Sequence, residues 1–97
     1  MSRSSLVFDS DTTKTFAANP KRGDAYHATI QNLTDQTITI TVTNQRIQGG
    51  SPTFDTPAAG ALAITAGSIG SLAEPYQGWL LTGGAAATGT VEITEAG

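Results

Sequence analysis

A chain of 97 residues has room for one domain with its own core, above the size at which disulfides or metals become necessary staples. It contains no cysteine, which excludes a disulfide framework and any thiolate site and fits folding in a reducing compartment. The net charge is −3, and only 13% of residues are charged. The few basic residues are scattered from Arg3 to Arg46, so there is no basic stripe to neutralise phosphates and no nucleic-acid partner is expected. Threonine, serine, asparagine, glutamine and glycine must cover much of the surface, a composition that suits packing against other protein. No apolar run approaches a membrane span, so no membrane partner is expected. The opening residues hold too short an apolar segment for a signal peptide.

Residues 1–18 are polar, with small apolar clusters at Leu6-Val7-Phe8 and at Phe16. They read as an extended N-terminal arm carrying one or two short strands, set apart from a single β domain over 19–97. Asp9 and Asp11 stand two apart and would share a face on a strand. A calcium site needs several more oxygens in a tight loop, so the pair reads as solvated and no metal is expected. Residues 19–24 form a turn, with Pro20 presetting φ and Gly23 permitting positive φ. Arg22-Gly23-Asp24 spells the adhesion tripeptide, but its place before a strand already explains the glycine and the aspartate as turn formers.

A strand follows over 25–31, with Tyr26, Ala28 and Ile30 on one face and His27, Thr29 and Gln31 on the other. His27 is the only histidine, so no triad or shared metal cage can be built on it. Asn32-Leu33-Thr34 is formally a glycosylation sequon and reads as a turn. Thr37-Ile38-Thr39-Ile40-Thr41-Val42-Thr43 then alternates threonine with branched aliphatics. That is the period of a strand with one buried and one wet face, and β-branched side chains favour it. The two strands are expected to pair as an antiparallel hairpin.

Residues 44–60 are the least regular, with Gly49-Gly50, Pro52 and Pro57 around isolated Ile47 and Phe54. A loop this long is usually functional or disordered. Strands are expected over 61–65, 76–82 and 90–94, with 69–75 irregular and the small-residue run 83–89 a hairpin loop. Trp79 is flanked by Leu80 and Leu81, so one face of that strand fills the core and the other must be covered. A sugar-stacking tryptophan is the functional rival, without an acidic and amide cluster beside it. Nothing shows a sustained helical period. The expected fold is all-β, a small antiparallel β-sandwich or barrel of jelly-roll-like form, with Ile30, Ile38, Ile40, Val42, Leu62, Ile64, Val91 and Ile93 in a common core. No constellation for acid–base or nucleophilic catalysis is visible, so no enzyme and no cofactor are expected.

Several short motifs recur together: Asn19-Pro20-x-Arg22 ahead of a strand ending Ile30-Gln31-Asn32, Leu62-x-Ile64-x-Ala66-Gly67, Tyr76-x-Gly78, and Gly89-Thr90-Val91-x-Ile93-x-Glu95. Over residues 19–95 the chain resembles small virion structural proteins of tailed bacteriophages. The resemblance implies a capsid decoration, or cement, protein on the outer face of the major capsid protein shell. It also implies a homo-oligomer, commonly a trimer, made in the host bacterial cytoplasm and located on the virion exterior. The family has no catalytic residues to carry over. The arm and the long loop depart from the family pattern and are the segments expected to contact neighbours, with Phe8, Phe16, Ile47, Phe54 and Trp79 as apolar contacts. A head-fibre or tail-attached adsorption module, or a carbohydrate-binding β-sandwich around Trp79 and Tyr76, are the alternatives.

Overall fold

The computed structural model describes residues 2–18, 26–45 and 52–96. They form an all-β fold of six strands: β1 (Ser2–Ala17), β2 (His27–Asn32), β3 (Ile38–Thr43), β4 (Leu62–Ile64), β5 (Ile69–Leu72) and β6 (Gly78–Ala96). The alternation read in the sequence is borne out. Ala28 and Ile30 are buried in β2 while His27, Thr29 and Gln31 are exposed, and Ile38, Ile40 and Val42 are buried in β3.

The organising element is β6, 19 residues long. Thr82 pairs with both Thr13 of β1 and Thr39 of β3, and Thr94 pairs with both Arg3 of β1 and Thr29 of β2. So β1 runs along one edge of β6, while β2 and β3 lie end to end along the other. β5 and β4 continue the sheet outward from β2 and β3. The result is a set of long antiparallel ribbons, each creased near its middle and folded over one core. The sheet is thereby nearly closed into a barrel. Strands that switch sheets at bulges or bends make corners of this kind.

Three expectations are corrected by this topology. β2 and β3 do not form a hairpin, because each pairs instead with a different half of the long β6. The run 83–89 is not a hairpin loop but the creased middle of β6. Small residues signal close backbone approach as readily as a turn. Residues 69–72 are a strand rather than irregular chain. Their alternation is hidden because Gly70 faces inward, where an added Cβ would lie 2.7 Å from the Ile64 side chain. The segment expected as an arm is β1, paired with β6 from Ser2 to Ala17 with register shifts around Asp11.

One apolar cluster fills the interior. Trp79 and Leu81 of β6 meet Val42 and Ile40 of β3, and Phe16 of β1 packs on Trp79 with ring centroids 5.0 Å apart. In the other half Val91 and Ile93 join Ile30, Ala28, Leu72 and Phe8. All eight residues expected in the core belong to this cluster, Leu62 being only partly buried at its margin.

Candidate functional site

A buried polar network lies where the chain passes from β2 toward β3. Asn32 ends β2 and is fully buried. Its Nδ2 donates to the carbonyls of Gln36 and Ile64, each at 2.8 Å, and its Oδ1 accepts from the Thr34 hydroxyl at 2.6 Å and the Thr34 N–H at 3.0 Å. Its backbone N–H donates to Ser68 at 3.0 Å, and its carbonyl accepts from Gly67 at 2.7 Å. A buried amide must find partners for all its polar groups, and here those partners tie the creases of neighbouring ribbons together. The amide nitrogen of the sequon is therefore spent on the fold. Gly89 lies beside this network at φ +130°, and an added Cβ there would stand 2.5 Å from the Leu33 carbonyl oxygen. Only glycine brings β6 this close to residues 33–34.

A second buried polar contact joins Tyr26 to Glu95, the hydroxyl donating to Oε2 at 2.6 Å. Burial, reinforced by the bond to the Glu95 carboxylate and its charge, pushes the Tyr26 phenol well above its ordinary range. The contact ties the residue ahead of β2 to the end of β6.

Two clefts remain. One, of about 390 Å³, is lined by Thr43, Gln45, Asp55 and Tyr76 among others. The Tyr76 hydroxyl accepts from the Ala58 N–H and donates to Glu74, both at 3.0 Å, so its polar groups close the loop over 52–60. That loop is also pinned to β3 by reciprocal backbone bonds between Asp55 and Val42. The other, of about 310 Å³, lies where β4 and β5 diverge and is lined mostly by small apolar residues such as Ala59, Ala61 and Leu62. Among the described residues no group of three metal-ligating side chains converges. The Asp11 carboxylate accepts the Asp9 N–H at 3.0 Å and pairs with Lys14 at 3.4 Å. The Asp9 contact in particular holds it below its ordinary pKa.

The residues expected at an interface are distributed unequally. Phe8, Phe16 and Trp79 are core residues of this fold. Phe54 is half-buried, and Ile47 lies outside the described residues, as does the Arg22-Gly23-Asp24 tripeptide. Burial of Trp79 also leaves no aromatic platform at that position for a sugar ring. Comparison with protein-family models, curated proteins and solved structures finds no match.

Among the described residues, two surface features bear on how the molecule could meet a neighbour. The outer face of the β1–β6–β3 half carries Thr13, Thr82 and Thr39 in one cross-strand row and Thr15, Leu80 and Thr41 in the next. It bears hydroxyls and methyls and no charge. The other feature is the outer edge of β1, where Val7 is 61% exposed. The threonine alternation announced the first. The second was missed because Val7 reads as one member of an apolar triplet, and only the pairing of β1 with β6 turns it outward.

Proposed function

We propose that this chain is a non-catalytic structural protein of a tailed-phage virion, decorating the outer surface of the major capsid protein shell. The family resemblance supplies the virion context. The observation that carries the reading is the uncharged sheet face of Thr13, Thr15, Thr39, Thr41, Leu80 and Thr82. Desolvating such a face costs little, because no ion is stripped of water. Each threonine also offers both a methyl to pack and a hydroxyl to bond. A decoration protein needs a surface of that kind, broad and shallow, rather than a pocket. The decoration reading stands ahead of the adsorption module because it is the one that uses this broad uncharged face.

Co-sedimentation with undecorated capsids tests it. The wild-type chain should pellet with shells. A Thr39→Lys, Thr82→Lys double variant should lose occupancy while keeping its far-ultraviolet circular dichroism, since both side chains lie on the outer face. Absence of wild-type binding, or unchanged occupancy of the variant, would reject this face as the attachment surface.

A further inference from the structure

We propose that two copies of this chain pair edge to edge through the first half of β1, antiparallel and in a register centred on Leu6. The backbone directions come first. Val7 and Asp9 stand opposite Thr90 and Thr88 of β6. The carbonyl of Thr90 accepts from Leu33, and that of Thr88 accepts from Asp35. Both β6 residues thus turn their backbone groups away from β1. In an antiparallel ladder the residue opposite such a position also points away. Arg3, Ser5, Val7 and Asp9 accordingly direct their backbone groups out of the sheet, and among the described residues no strand meets them.

The length of this open edge is defined at its far end. The Asp9 N–H is taken by the Asp11 carboxylate at 3.0 Å, Ser10 has φ 60°, and the register slips on either side of Asp11. Bulges of this kind are how edges are normally blunted. Here the blunting begins at Asp9 and leaves residues 3–8 unguarded.

Charge fixes the register. With Leu6 facing Leu6 of the second copy, Ser5 opposes Val7 and Arg3 opposes Asp9. Ser5 and Val7 then exchange both backbone bonds, twice by symmetry, and the Arg3 N–H donates to the free Asp9 carbonyl. Arg3 and Asp9 are exposed on the same face as Val7, and among the described residues neither has an ion-pair partner. Opposite charges directly across strands stabilise the pairing. A register centred on Ser5 sets Arg3 against Val7. One centred on Val7 sets Ser5 against Asp9 and Arg3 against Asp11, which lies past the bulge with its carboxylate already taken by the Asp9 N–H and Lys14. The contact is isologous and closes at two copies. A ring of three would instead need the far edge, where β4 has three residues and β5 four and neither carries a charge to meet Arg3 or Asp9. A dimer therefore replaces the expected trimer in this proposal, which is independent of any capsid.

Sedimentation equilibrium of the full chain tests it. Wild type should show a monomer–dimer equilibrium with a dissociation constant on the order of 10–100 µM, as befits a contact smaller than a standard interface. Val7→Pro removes an outward N–H and no bond to β6, so it should keep the fold and abolish the dimer. Arg3→Asp should weaken pairing roughly tenfold by placing like charges opposite each other. The exchanged double variant Arg3→Asp, Asp9→Arg should restore it. A monomer at about 1 mM, far above that range, a stable trimer, or a dimer indifferent to Val7→Pro overturns the proposal. Failure of the exchanged variant to recover, with its circular dichroism intact, overturns the register.

Discussion

Asn32 carries more of the fold than its size suggests. Removing its side chain leaves the Ile64 carbonyl and the Thr34 N–H without that partner in the interior, while the Thr34 hydroxyl and the Gln36 carbonyl keep the 3.0 Å bond between them. Unsatisfied buried groups cost about 1–3 kcal/mol each, and partial relaxation recovers some of that. Asn32→Ala should therefore lose roughly 3–5 kcal/mol, measured by urea denaturation. A loss below about 1 kcal/mol would show that water replaces the amide. Tyr26 gives a pH-dependent case. Its phenol is held protonated in the folded state, so its folded pKa lies above the unfolded value near 10. The contribution to stability is then complete below pH 10 and declines above it, as the unfolded chain releases a proton that the folded chain keeps. Tyr26→Phe should cost about 2 kcal/mol at neutral pH, the loss of a hydrogen bond to a carboxylate. Above pH 10 the gap between variant and wild type should narrow by up to about 1.4 kcal/mol per pH unit. A constant gap to pH 11 would contradict the assignment.

Among the elements, β6 is the one whose shape determines the others. Its two halves pair with different strands, and the bend between them is permitted by small residues. Gly89 is the sharpest instance, with positive φ and a backbone neighbour where a Cβ would be. A carbonyl oxygen cannot move aside like the end of a flexible side chain. Gly89→Ala should destabilise by about 2 kcal/mol or more through combined strain and overlap. Gly84 is an exposed counterpart in the same element, where an added Cβ would come no nearer than 3.9 Å to the Gln36 side chain. Gly84→Ala should fall within about 0.5 kcal/mol of wild type. Thermal melts of the two variants side by side make the comparison, and equal losses would remove the crease from the account.

For the molecule as a whole, β1 is a structural wall. It supplies Phe8, only 1% exposed, and Phe16 to the common core and pairs with β6 on both sides of the register shifts at Asp11. Phe8→Ala alone should cost about 3–5 kcal/mol. Deleting residues 2–9 removes that ring and half of the β1 ladder together. The truncated chain should be largely unfolded at 25 °C, with loss of near-ultraviolet dichroism from Trp79. A cooperatively folded truncation would mean that residues 2–9 are an accessory arm after all. The same deletion would abolish the proposed dimer for a trivial reason, and this is why Val7→Pro is the cleaner test of pairing.

The sequence by itself determined the fold class and the inward faces of β2, β3 and the end of β6. Alternation at a period of two states which side chains need burial, and that need is local. Isolated Ile64, Val91 and Ile93 could be placed in the core for the same reason. Which strands pair could not be read in this way. A β-branched run carries no label for its partner, and β2 and β3, adjacent in sequence, pair not with each other but with a strand from the far end of the chain. Asn32 looked like a turn residue because asparagine favours turns. It became a buried tie only once the residues around Ser68 and Ile64 were brought to it. Phe8, Phe16 and Trp79 looked available for a neighbour because their cover comes from the opposite ends of the chain. Tertiary structure decided these points, since burial of a single aromatic or amide depends on residues distant in sequence, whereas strand period depends only on the residues beside it.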